Sequence, residues 1–208
     1  MPWGKMIYDK NNQYDVLKLL NSFSKSNEYE KYLYYKQFID RKNYRRPDSI
    51  HGVLHSTRVL MISMINSMIS KLSDKDMKFL GYASVYHDIG RVNDGTDIEH
   101  GKRSVLKLKD LEVFENVIKN EFDDEEIKIL DFIIENHVID DKDGLENLKN
   151  SNILDKEYAK RMLFYFKDSD GLDRVRVWDV DSNFLRHDTS KALVDIAIAL
   201  YKEETKLL

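Results

Sequence analysis

The chain contains no cysteine, only two prolines and only eight glycines in 208 residues. Without thiols it forms no disulfide, offers no thiolate ligand and has no cysteine nucleophile, so any bound metal must sit on nitrogen and oxygen donors. Scarce proline and glycine remove the residues that punctuate turn-rich β folds, whereas Leu, Ile, Lys, Glu and Met are plentiful. That balance predicts an all-α protein. A strong excess of one charge is missing too: 33 Lys and Arg face 37 Asp and Glu, for a formal net charge of -4 and a pI near 5.9. General nucleic-acid binding is thereby disfavoured, while a small anionic ligand in a local basic pocket is not. No apolar run reaches membrane-spanning length without polar interruption, and the opening MPWGKMIYDK lacks the apolar stretch of a signal peptide. A cytoplasmic protein with no membrane contact is expected.

What is present is helical periodicity. A hydrophobic fraction of 42% suffices for one sizeable core, so a single helical bundle is expected. Residues 1–48 are polar and tyrosine-rich, and Tyr29, Tyr32, Leu33, Lys36 and Phe38 suit one or two amphipathic helices. These aromatics read as a packing face rather than a base-stacking platform, because Arg41, Lys42, Arg45 and Arg46 are explained as a solvated helix end. Pro47 and Asp48 mark a break. From Val53 to Leu72, apolar residues recur at helical spacing, with His55 on the side of Val59 and Ile62. Ser73 and Asp76 form a capping-box pattern that opens a helix running through Gly81, Ala83 and Ser84 to His87, ending by Gly90; the small residues allow close approach of a neighbour. The stretch 91–99 reads as a loop before a helix with His100 in its first turn. Asp123 and Glu126 cap another, whose inward positions Ile127, Leu130 and Ile134 lead to His137. Residues 138–152 read as a long loop able to act as a lid. A helix over 155–170 carries Asp170 one turn beyond Phe166, and a last amphipathic helix spans 191–202.

Several helices thus each deliver an imidazole or carboxylate toward the interior: His55, His87, Asp88, His100, His137 and Asp170. Burying so many polar groups without partners is prohibitive, whereas four to six of them converging build one or two octahedral N/O metal sites. Asp168 and Asp173 are alternative end ligands; Asp168 points about two-fifths of a helical turn away from Asp170, and Asp173 suits an ion-pairing role. Asp94 and Asp97 suit loop or cap positions. His51 lies one turn before His55 and reads as a helix-start residue, with contact to a ligand or substrate as the other reading. His187, in a polar run, reads as a surface residue.

The local contexts HSTRV at 55–59, YHDIGR at 86–91 and DGLDR at 170–174 resemble, in that order, the HD superfamily of metal-dependent phosphohydrolases. The likeness covers about residues 50–176. With His100 and His137 added, it resembles the branch that holds two metals. The resemblance implies that His55, His87, Asp88 and Asp170 bind one divalent ion and that Asp88 bridges to a second held by His100 and His137. It makes Asp88, His100 and His137 the catalytic residues, with iron or manganese as the metal and magnesium, cobalt, nickel or zinc as alternatives. It divides the chain into an N-terminal helical extension (1–48), the phosphohydrolase domain (49–178) and a C-terminal helix packed on that domain (179–208). The substrate it implies is a small phosphorylated molecule, a nucleotide or nucleotide-like compound, hydrolysed at a phosphoester or phosphoanhydride by metal-activated water. Candidate phosphate ligands are Arg58, Arg91, Lys102 and Arg103, the last two in the first turn of a helix. A di-iron oxygenase similar to myo-inositol oxygenase and a non-catalytic nucleotide sensor are the competing readings.

Overall fold

A computed structural model describes residues 6–205. Its helices in chain order are α1 (Val16–Phe23), α2 (Asn27–Lys36), α3 (Val53–Ser70), α4 (Asp74–Tyr86), α5 (His100–Lys109), the single turn α6 (Lys119–Glu121), α7 (Asp124–Asn136), α8 (Asp141–Asn150), α9 (Lys156–Leu172), the short α10 (Asp188–Lys191) and α11 (Val194–Thr205). A π-helical turn at Phe114–Ile118 leads into α6. Apart from an isolated bridge between Ile7 and Asp181, no β structure occurs among the described residues. The molecule is all-α, as composition requires, and no described helix is long and apolar enough to cross a membrane.

The helix starts are written in polar side chains. Ser73 Oγ accepts from the Asp76 amide at 3.2 Å while Asp76 Oδ2 accepts from the Ser73 amide at 3.0 Å, closing the capping box of α4. Asp123 and Glu126 repeat the device at α7. The stretch 138–152, expected as a loop and lid, is instead largely α8. Asp140 caps it by accepting from the Asp143 amide at 2.9 Å, acids occupy its first turn, and Leu148 is buried. The apolar anchors Leu145 and Leu148 are only two among many Asp, Asn and Lys, which hid the period. The expected last helix is α11, which starts at Val194 rather than at 191, and the short α10 precedes it.

Helix α3 is the centre, packing on α2, α4 and α9 and touching α10 and α11. Its Val59, Leu60, Ile62, Met64 and Ile65 are all at most 1% exposed, each contributing about 1.5–3 kcal/mol by leaving water. Among its buried polar groups, Ser63 pairs with Ser84 and Asn66 with Ser190, the latter at 2.8 Å. Two glycines set helix spacing. A Cβ on Gly81 would enter the Tyr35 ring of α2, and one on Gly101 would strike the Glu135 carbonyl of α7. The second contact brings the start of α5 beside the end of α7, which is where His100 and His137 stand. The N-terminal aromatics are a packing face, with Tyr32 and Tyr35 at 3% exposure and Tyr35 edge-on to Tyr82 at 5.1 Å.

Candidate metal centre

Six side chains from five helices and the turn after one of them converge. His55 comes from α3, His87 caps α4 and Asp88 follows it, His100 opens α5, His137 caps α7, and Asp170 sits in the last turn of α9. On α4, α7 and α9 the buried positions Leu80 and Ala83, Leu130 and Ile134, and Leu163 and Phe166 lead at helical spacing to His87, His137 and Asp170, so packing of these stripes carries the polar groups inward. The four histidines are at most 6% exposed. The loop between His87 and His100 is pinned by Ser104, whose Oγ accepts from the Gly90 amide at 2.9 Å and donates to the His87 carbonyl at 2.6 Å.

The ring orientations are fixed from behind. His87 Nδ1 donates to the Ser84 carbonyl at 3.0 Å, His137 Nδ1 to the Ile134 carbonyl at 2.7 Å, and His100 Nδ1 to the Asp97 carbonyl. A carbonyl only accepts, so these rings carry their proton on Nδ1 and present an Nε2 lone pair to the interior. His55 Nδ1 donates to Asp173 Oδ2 at 2.7 Å and presents Nε2 in the same way. The four Nε2 atoms meet in pairs, His55 with His87 at 3.1 Å and His100 with His137 at 2.9 Å. Lone pairs facing each other at such distances repel unless a cation sits among them.

The carboxylates complete the donor set. Asp88 Oδ1 lies 2.9 Å from His100 Nε2 and 3.8 Å from His137 Nε2. Its Oδ2 is buried and accepts no hydrogen bond, with His55 Nε2 at 3.4 Å and His87 Nε2 at 3.7 Å. Asp170 Oδ1 lies 3.3 Å from His55 Nε2 and 3.9 Å from His87 Nε2. Burial lowers the His87 pKa to about 3, keeping the ring neutral and its lone pair free. Burial would raise Asp88 and Asp170, but the surrounding imidazoles outweigh it and hold both carboxyls well below the ordinary range. Inward-facing imidazole nitrogens, ionised carboxylates and an orphaned buried oxygen are the donor chemistry of a divalent cation on N and O ligands, so the cluster can hold a metal ion.

One residue joins from outside the expected set. His51, read from sequence as a helix-start residue, places Nδ1 3.3 Å from Asp88 Oδ2 and belongs to a possible ligand group with His55 and Asp88. Its position one turn before His55 was the available signal. Asp173 is fully buried and binds both His55 and Arg58, accepting from Arg58 Nε at 2.6 Å, so it orients a ligand rather than facing the centre. Asp168 is turned elsewhere, accepting from the Arg186 and His187 amides at 2.9 and 3.0 Å. His187 is not a free surface residue: it is half-buried, donates to Asp168 and stacks on Tyr165 at 3.8 Å.

The cluster forms the floor of a cavity of about 1030 Å³, large enough for a small organic ligand. Of the four expected phosphate ligands only Arg91 lines it, with Nε donating to Asp88 Oδ1 at 2.9 Å. Arg58 is buried against Asp173 beside the Tyr201 ring, Arg103 is engaged by Asp97 and the Gly90 carbonyl, and Lys102 lies out in solvent beside Glu99. These three are corrections, and the cause is common: a position within a motif or a first turn says nothing of which way a long side chain runs. The cavity's other cations are Lys167, Arg174, Arg176 and Arg186. Lys167 and Arg186 hold Asp141 at 2.6 and 2.7 Å, fixing α8 against α9 as a wall. Arg176 donates to His51 Nδ1 at 3.2 Å, and its buried Nε has no partner. The Arg174 guanidinium pairs with Asp179. Set against protein-family models, curated proteins and solved structures, the chain matches none of them.

Proposed function

We propose that the protein is a metal-dependent phosphohydrolase of the HD type, acting on a phosphoester or phosphoanhydride of a small molecule. The observation that carries this reading is the set of four inward Nε2 lone pairs around two ionised carboxylates at the floor of a cation-bearing cavity. The motif order of the sequence supports the same class. Two ions fit the donor set, because Asp88 turns one oxygen toward His55 and His87 and the other toward His100 and His137. His55, His87, Asp88 and Asp170 would hold one, and Asp88, His100 and His137 the other. Ions of this kind supply a nucleophilic water near neutral pH and offset charge on a phosphoryl oxygen.

The chain's own residues do the rest. Backbone carbonyls and Asp173 hold the imidazoles in one tautomer and one orientation, so the site is ordered before ligand arrives. Arg91, tethered to Asp88 and to the Gly95 carbonyl at 3.3 Å, presents charge beside the ligands for a substrate oxygen. Arg176 brings a guanidinium with an unused Nε to the same cavity. No side chain is needed as a covalent nucleophile.

Protein purified without added metal and examined by elemental analysis should contain one to two ions of a divalent transition metal per chain. Loaded protein should then release product from phosphomonoesters, nucleoside polyphosphates, dinucleotides or cyclic dinucleotides. Full metal occupancy with no cleavage of any of them defeats the reading, and oxygen uptake by an iron-loaded sample would favour the oxygenase instead.

A further inference from the structure

We infer that Phe184 is a specificity-determining residue of the cavity, the seat for a flat ring on the organic part of the phosphorylated ligand. This rests on the phosphohydrolase reading for the phosphate and adds the chemistry of the rest of the molecule. Of nine phenylalanines in the chain, Phe184 alone is exposed, at 77%; the others are buried or partly so. It lines the same cavity as the histidine and aspartate cluster. Its ring face is open to whatever enters that cavity, and covering it with a flat apolar group removes apolar surface from water.

The ring is presented by fixed backbone. Phe184 ends a short 3-10 turn, Ser182–Phe184, which Asp181 caps by accepting from the Asn183 amide at 2.9 Å. Upstream, the Ile7 amide donates to the Val180 carbonyl at 2.7 Å and the Ser182 amide donates to the Ile7 carbonyl at 2.8 Å. Downstream, Leu185 is buried and buried Asp168 accepts from the next two amides. The same wall carries Arg176, whose side chain is 8% exposed and whose Nε is unpartnered. An aromatic face beside cations is the combination that holds a base and its phosphate together.

The test uses metal-loaded full-length protein and two non-hydrolysable probes: adenosine 5′-(α,β-methylene)diphosphate, which has a ring, and methylenediphosphonate, which has none. Calorimetry on the native protein should show the first binding at least about tenfold tighter, the order of one base–aromatic stack. F184A should abolish that preference while leaving methylenediphosphonate affinity unchanged, and F184W should restore it. An unchanged preference in F184A, equal weakening of both probes, or no binding of either overturns the inference. If F184A instead converts a dimer to a monomer with the preference intact, the ring serves contact between copies and the inference falls. Ring-dependent binding without turnover of any substrate would uphold Phe184 while sinking the hydrolase reading, so the two fail separately.

Discussion

Asp88 sits between the two imidazole pairs and turns one carboxylate oxygen toward each. Asp88→Ala should therefore abolish metal retention while leaving the helical fold largely formed, as checked by elemental analysis and circular dichroism on the same sample. Asp173 acts one step back. It holds His55 by Nδ1 and neutralises the buried Arg58, and its own carboxyl is kept low because the His55 and Arg58 hydrogen bonds outweigh burial. Asp173→Asn loses the charge that both partners rely on. Metal affinity should fall by about 10–100-fold in chelator competition, the usual effect of losing a group that orients a ligand. Stability should fall as well, read as a lower urea midpoint, since the buried ion pair between Asp173 and the Arg58 guanidinium loses its anionic half.

At the scale of elements, helix ends decide what the site looks like. Helix α3 stops at Lys71, which takes a left-handed conformation with φ 52°, a region that penalises any residue with a Cβ. Lys71 is exposed, so Lys71→Gly removes the penalty without removing packing. It should raise stability by about 1 kcal/mol, read as a higher urea midpoint with unchanged slope. The same ends explain what could be read in advance. The capping pairs Ser73 with Asp76 and Asp123 with Glu126 are local, and so were legible, as were the stripes ending at His87 and His137. These stripes led to the metal-ligand candidates that the fold brings together. Helix α8 was missed because its inward positions are few and its caps look like loop residues. His51, Arg176 and Phe184 were not selected because their meaning lies in contacts between residues more than one hundred positions apart, or across a cavity, which periodicity does not encode.

Over the whole molecule, ion pairs between elements make stability depend on pH. Burial would raise the carboxyl of Asp76, but the Ser73 backbone amide and Arg161 outweigh it and hold it below its ordinary value; Arg186 and Lys167 do the same for Asp141. A carboxyl with a depressed folded pKa contributes stability that is present above its unfolded value, near pH 4, and is lost as pH falls through the folded value. The urea midpoint of the metal-free protein should therefore drop on acidification below about pH 4, and the double variant Asp76→Asn with Asp141→Asn should show a shallower drop. The N-terminal stretch is part of this same body rather than an appendage. Tyr8 donates to Asp195 of α11 at 2.9 Å, and Ile7 is laced to the backbone on both sides of Asp181. Residues 7 and 8 thus act as a buttress for the rim that carries Phe184. Shortening them for crystallisation, or fusing a bulky handle there, would alter ligand preference at a place remote in sequence, and leave the histidine floor untouched.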